Sequence, residues 1–332
     1  MWVLKDTGER SPFDRVAFCG TAIGGLVGLV TDGATVWPTG VASCGSVWLC
    51  PVCSAKIKTR RAAEIEDVCQ AHESAGGSFS LVTCTVRHDR TMSLNESRGA
   101  VARSWGRVQR LKSWADIKEK LVGQIAAPEI TFGRNGWHPH LHILLLIRAG
   151  VLQQEIDRLK GAFVADWLRL VSEELGVMPS VERGVDFSHI GKDGFAAAGR
   201  YLSKIANELT ASDLKSGRDP FALLDDVGSG DSEAIAKWFE FSRAMKGVRS
   251  VGWSVGLRDL YDVGPELSDE AIAEEDQWSG QLVAMVTAPE WNAALKRGRV
   301  SEILELVEVA LDADELDLSG SSPPLQVGFR SG

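Results

Sequence analysis

Hydrophobic and polar positions divide the chain into stretches of different period. Residues 54–77, SAKIKTRRAAEIEDVCQAHESAGG, keep an apolar stripe at Ile57, Ala62, Ile65, Val68, Cys69 and His72 and close on two glycines. Spacing of three and four predicts an amphipathic helix with Ser54 as its cap. FSLVTCTVR at 79–87 alternates and is rich in β-formers, which predicts a strand. Beyond it the pattern predicts a charged helix over about 93–120 and two strands near 125–133 and 138–147 joined across RNGW. A long helix at 151–175, a strand near 182–190 and a helix at 193–209 follow. This order of strands and helices is the split βαβ pattern of ferredoxin-like sheets, so the fold class is read as α+β.

The flanks differ. Residues 1–53 are rich in Gly and Cys with little periodicity, which suggests a small module held by something other than a core. Residues 210–230 are polar and turn-rich, 231–262 resume order, and beyond about 264 acidic helices are expected, with a disordered end. The domains are therefore read as 1–53, a cysteine-rich module; 54–262, the main domain; and 263–332, an acidic C-terminal region.

Composition sharpens this division. The 332 residues are 44% hydrophobic and carry a net charge of −9. Residues 259–332 hold 16 acidic and 4 basic side chains, a net of −12, which leaves +3 for the rest. A mildly basic body is compatible with a polyanionic partner despite the acidic total. Charges at Lys5, Asp6, Glu9 and Arg10 precede any apolar run, and the longest uncharged stretch, 18–31, is too short and glycine-rich to span a bilayer. A cytoplasmic protein with no membrane partner is expected.

Three of the six histidines stand at alternate positions in GWHPHLHILLL. In a strand His138, His140 and His142 share one face, and Pro139, Leu141, Ile143 and Leu145 the other. Asn135-Gly136 favours a two-residue hairpin loop that pairs Arg134 with Trp137, sets Thr131 opposite His140 and Glu129 opposite His142, and leaves Gly133 across from His138. Glu129, His140 and His142 then converge on one patch. Two imidazoles and a carboxylate make a mixed N/O site suited to Mn²⁺ or Mg²⁺ and open to Zn²⁺ or Fe²⁺; the alternative is a set of hydrogen-bonded surface residues. His138, nearest the turn, is a candidate substrate contact.

Cys44, Cys50 and Cys53 form C-x5-C-x2-C, and Cys19 lies 25 residues before Cys44. Four such thiols point to a structural Zn²⁺ site. A redox pair at Cys50 and Cys53, or Cys69 with His72 in place of Cys19, are the alternatives, and Cys69 and Cys84 otherwise read as core.

GWHPHLH resembles the HUH motif of rolling-circle replication initiators, the Rep proteins of small bacterial plasmids. SCGSVWLCPVCSAKI at 43–57, LVTCTVRH at 81–88, RYLSKIANE at 200–208 and AMKGVRSVGWSVGLR at 244–258 resemble the same proteins in order and spacing, over roughly residues 16–260. The resemblance implies a ferredoxin-like HUH endonuclease core that cuts single-stranded DNA. It further implies Glu129, His140 and His142 as ligands of a catalytic Mn²⁺ or Mg²⁺, Tyr201 as nucleophile and Lys204 as charge stabiliser. The tyrosine would keep the 5′ phosphate and release a 3′-OH primer.

On the expected 193–209 helix, Phe195, Ala198, Leu202, Ile205 and Leu209 form the apolar stripe, and Tyr201, Lys204 and Glu208 share its flank. Some relatives carry a glutamate one turn before the tyrosine to activate water at termination; here that position is Ala197, and Glu208 is the expected substitute. Tyr261, the other tyrosine, lies outside any Y-x-x-K helix. The sequence has no G-x-x-x-x-G-K-[ST] loop, so strand separation falls to supercoiling or a host helicase, with a host DNA polymerase extending the primer.

Plasmid origin DNA, single-stranded or cruciform at the nick site, is the expected partner. Arg103, Arg107, Arg110 and Lys112, near Trp105, are the candidate DNA contacts, with Lys56, Lys58, Arg60 and Arg61 beside the cysteines; solvated helix faces are the alternative. Rival readings are a relaxase or transposase, a 2-His-1-carboxylate Fe(II) oxygenase, or a zinc-stabilised DNA-binding protein without chemistry.

Overall fold

Long β-branched and leucine runs flanked by amphipathic helices assemble an α+β protein with two sheets, one antiparallel and one antiparallel but for a single short edge pair. The computed structural model describes residues 14–33, 35–177, 179–180, 184–190, 218–275, 280–312 and 325–326. The chain divides into two units, Met1–Ile57 with Leu267–Gly332, and Lys58–Glu266.

In chain order the principal elements are β1 (Leu26–Thr31), β2 (Val36–Thr39), α1 (Pro51–Ser74), β3 (Ser78–Thr85), α2 (Leu94–Val108) and α3 (Lys112–Lys118). Next come β4 (Leu121–Gly133), β5 (Gly136–Ile147), α4 (Gln153–Leu175), β6 (Val185–Ile190), α5 (Ser232–Ala244) and β7 (Gly252–Trp253). β8 (Gln281–Thr287), α6 (Ala288–Lys296), α7 (Val300–Asp312) and β9 (Leu325–Gln326) complete the set.

The unit Lys58–Glu266 is built on a five-stranded sheet in the order β6-β3-β5-β4-β7. Strand β5 runs antiparallel to both β3 and β4, so those two are parallel and split by it. Val82, Cys84, Leu141, Ile143, Leu145 and Ile147 form a core with α2, α3 and α4, which contribute Val101, Trp114, Phe163 and Trp167. All three helices therefore cover one face. The opposite face changes character along its length. Phe79, Ile125, Leu144 and Leu146 pack under Ile65, Val68 and Cys69 of α1 and under Val251 and Leu257, whereas the other end of that face carries the histidines. Glu64 on α1 accepts hydrogen bonds from Arg61 at 3.2 Å and Arg258 at 2.9 Å, a buried charge network that ties α1 to the 258–265 turn.

In the unit Met1–Ile57 with Leu267–Gly332, β1 pairs with β2 and with β8, and β9 lies parallel to β8. Val27, Leu29, Val283 and Val286 meet Trp291, Ile303 and Val307 of α6 and α7 in a core of its own. The Trp291 indole donates to the Gly20 carbonyl at 2.7 Å, and Asn292 accepts from Ala22 at 3.0 Å. The glycine-rich start of the chain and the acidic end, expected as separate segments, thus share one sheet and one core.

Other differences are local. Helix α1 starts three residues before Ser54, at a proline whose missing N–H costs nothing in the first turn. The expected single helix over 93–120 is two, because residues 109–111 break it and let Trp114 and Ile117 turn into the core. The expected 193–209 helix lies outside the described residues. Among the described residues no helix is long and apolar enough to cross a membrane.

Candidate metal centre and groove

The turn between β4 and β5 sets the position of His138, His140 and His142. Arg134 and Asn135 form it, both with negative φ, and Gly136 follows at φ 86°. A primed two-residue turn would need positive φ at both Asn135 and Gly136; a turn closed by one left-handed glycine is the other common hairpin. Gly133 therefore pairs with Gly136, Thr131 with His138 and Glu129 with His140, which corrects the expected register of Glu129 opposite His142. Because the partner shifts by two residues, the face is unchanged. A Cβ on Gly136 would stand 3.1 Å from the backbone at Asp89 and Arg90. Gly136→Ala is expected to cost about 1–2 kcal/mol from left-handed strain alone. The check is a lowered urea midpoint at constant m-value, and an unmoved midpoint contradicts the account.

Glu129 on β4 brings the row together. Its Oε2 lies 2.8 Å from His142 Nε2 and 3.5 Å from His140 Nδ1. The other nitrogen of His142, Nδ1, is 3.1 Å from Thr83 Oγ1 on β3, which fixes the ring. His140 Nδ1 is buried and has no hydrogen-bond partner among the described residues. Burial raises the Glu129 carboxyl, but the hydrogen bond from His142 and the charges of His142, His140 and His138 outweigh it and hold Glu129 below the usual carboxylate range. Burial pushes His140 down to about 4 against the pull of Glu129, and pushes His138 down to about 3 with help from His140 and His88. Both imidazoles are neutral at pH 7 and keep a lone pair for a cation. By ligand type the donor set suits a divalent ion, with its ligand atoms spread wider than the 4.8 Å of the tightest cluster among the described residues.

His88, just beyond β3, extends the row. Its ring stacks on His138 at 4.3 Å between centroids, and His138 stands 3.9 Å from His140. Reading the sequence for alternate histidines missed it, although LVTCTVRH ends on it. The row opens into a groove of about 980 Å³ whose described lining includes Arg87, His88, Arg134, His138, His140 and Asp186. Asp186 on β6 pairs with Thr83 and accepts from Ser188 Oγ at 2.7 Å.

Tyr201, Lys204, Glu208 and Ala197 lie outside the described residues. Tyr261 is hydrogen-bonded to His72 Nδ1 at 2.6 Å, and His72 Nε2 lies 3.2 Å from the Ser78 carbonyl. Ser78 and Thr85 are the two ends of β3, about 23 Å apart at the usual rise per residue. Thr85 pairs with His140, so Tyr261 sits at the far end of the sheet from the histidine row.

The cationic candidates are largely engaged. Arg103 donates to Glu174 at 2.6 Å, Arg107 reaches Glu173 and Glu174 on α4, and Lys112 pairs with Asp116 at 2.8 Å, while Arg110 is exposed. All four lie on or beside the helices covering the sheet face opposite the histidines. Lys58 and Arg61 point inward: Lys58 is buried over the Phe221 ring, and burial lowers its ammonium to about 8 against the opposing charge of Asp219.

The other unit holds the cysteine cluster. Cys19 Sγ is 3.5 Å from Cys53 and from Cys50, and Cys44 is 3.6 Å from Cys53. All four Sγ atoms lie within 4.8 Å of one another, and no other group of three or more metal-ligating side chains among the described residues is that tight. Tetrahedral Zn–S bonds of about 2.3 Å put sulfurs about 3.8 Å apart, so four free thiols at these distances fit that ion. Cys69 and Cys84 are buried in apolar cores, which removes Cys69 with His72 as an alternative ligand pair.

Residues 40–175 match the family described as replication protein. Protein rep of Streptomyces lividans is 29% identical over 385 aligned positions, covering 92% of this chain and 82% of that protein. The neomycin resistance protein of Streptomyces cyanogenus is 32% identical over 180 positions, covering 46% of this chain and 39% of that protein. No solved structure matches.

Proposed function

We propose, from the premise that this chain is a plasmid replication protein of the Rep type, that it starts rolling-circle replication by nicking and rejoining single-stranded origin DNA. The observation that carries the reading is Glu129 Oε2 at 2.8 Å from His142 Nε2 and 3.5 Å from a buried His140 Nδ1 that makes no hydrogen bond among the described residues, beside an open groove. The split sheet order and the helices on one face support the ferredoxin-like HUH arrangement.

In this reading Glu129, His140 and His142 would hold Mn²⁺ or Mg²⁺, which would supply charge stabilisation for the scissile phosphate. Thr83 keeps His142 oriented, and burial keeps His140 unprotonated. Tyr201 is the nucleophile: its phenol oxygen bonds to phosphorus as the bond to the 3′ oxygen breaks, and the proton that the phenol gives up to solvent is matched by the one the departing oxygen takes to become the 3′-OH. The 3′-OH primes synthesis while the 5′ phosphate stays on the tyrosine. Lys204 favours the phenolate, whose pKa is about 10 when free, and Glu208 accepts the proton of the water that ends the reaction. The ester bond energy is conserved, so rejoining needs no nucleotide. A Zn²⁺ ion on Cys19, Cys44, Cys50 and Cys53 is structural. A host helicase and DNA polymerase complete the process.

The test is to mix the protein with Mn²⁺ and single-stranded oligonucleotides tiled across its replicon, and to look for a covalent adduct under denaturing conditions. An adduct that requires the ion and maps to the peptide containing Tyr201 is expected. If every oligonucleotide binds without forming one, the protein is a metal-stabilised DNA-binding protein without this chemistry.

A further inference from the structure

Arg87 and Arg134 both line the groove that contains His138 and His140. The β3–β5 ladder ends at Thr85 opposite His140, and Arg87 follows two residues later, next in the chain to His88, whose ring stacks on His138. Arg134 sits in the β4–β5 turn, on the other side of β5, with Thr131 the partner of His138 on that flank. The two arginines thus stand on either side of the turn end of the histidine row. Both are exposed, and neither makes an ion pair among the described residues. The contrast is with Arg103, Arg107 and Arg218, each clasped by a carboxylate of its own chain.

Free guanidiniums are costly neighbours for one another and for the cation site unless an anion lies between them. In the described lining two unpaired guanidiniums, Arg87 and Arg134, face one carboxylate, Asp186, so the groove keeps an excess of positive charge. Planar five-donor guanidiniums match phosphate oxygens in pairs.

We propose that Arg87 and Arg134 form a phosphate clamp at the mouth of the groove, gripping the backbone of a single DNA strand on the approach to Glu129, His140 and His142. The clamp rests on the reading of the histidine row as a DNA-phosphate site and adds to it the path of the strand. The strand enters past the Arg134–Asn135 turn, its backbone phosphates held at the two sides of His138 and its bases left free. A clamp of this kind positions the substrate and is blind to base identity.

The experiment is a salt titration of single-strand affinity, with fluorescent oligothymidylate as the probe, the full chain as the protein and no added divalent ion. Each phosphate neutralised in a single strand contributes about 0.7 to the slope of log affinity against log salt. Arg87→Ala with Arg134→Ala is expected to flatten that slope by about 1.4. The Arg87→Lys with Arg134→Lys variant keeps the charge and is expected to restore most of it, a recovery that a merely misfolded alanine variant cannot explain. An alanine slope equal to wild type overturns the clamp, and so does a loss that lysine fails to rescue. Failure of the nuclease reading shows separately, as absence of the Mn²⁺-dependent adduct while the slopes still differ.

Discussion

Glu129→Gln is expected to slow Mn²⁺-dependent nicking by about a thousandfold while the melting temperature stays near that of the wild type. A metal ion at a phosphoryl centre supplies several kcal/mol of charge stabilisation, and about 4 kcal/mol is a thousandfold at 1.36 kcal/mol per decade. Glutamine keeps the length and shape of Glu129, and its amide oxygen can still accept from His142 Nε2, the 2.8 Å partner in the present structure. What the change removes is the one anionic member of the trio. Single-turnover nicking rates alongside thermal melts separate the two roles. A rate within tenfold of wild type ends the metal reading, and a matching fall in melting temperature recasts Glu129 as structural.

Cys53→Ser is expected to take bound zinc from one ion per chain to none and to abolish cooperative melting of the unit formed by Met1–Ile57 and Leu267–Gly332. The thiols come from dissimilar pieces of backbone: Cys19 after a short helix, Cys44 and Cys50 from an irregular segment, Cys53 from the first turn of α1. No sheet or helix orders residues 42–46. Structural zinc contributes about 10–16 kcal/mol of apparent binding energy in small modules, as large as the whole stability of an ordinary domain at about 5–15 kcal/mol. The hydrophobic core around Trp291 and Ile303 can survive as a collapsed remnant, but the loops carrying the cysteines lose their tether. Metal analysis and limited proteolysis read the two effects; a wild-type protein purified with zinc in the medium yet carrying none removes the site.

The main sheet was legible because its signals are local. Strand β3 needs only its own alternation, and the histidine face follows from parity, which survived the wrong turn assignment at Asn135-Gly136. The turn itself was not legible, since Asn-Gly suits a primed turn and a bulged one alike. His88 escaped because it stands after the strand, where alternation no longer speaks; only the fold brings it onto His138. The second sheet was hidden for a different reason. LVGLVT and QLVAMVT are short apolar runs with nothing in either to name the other as its partner. The arginines of α2 read as a DNA surface because their partners, Glu173 and Glu174, lie on another helix.

That second sheet also imposes an order on assembly. Thr31 of β1 pairs with Gln281 of β8, so β1 leaves the ribosome about 250 residues ahead of its partner, roughly 12–50 s at ordinary translation rates. All of Lys58–Glu266 is synthesised within that interval. The unit bearing the histidine groove has every strand of its own sheet in hand before the flanking unit can close. Until then β1 and β2 form a two-stranded ribbon, marginal by itself in water, with an edge open to other chains. The nascent protein is most exposed to misassembly while the unit bearing the histidine groove is already complete.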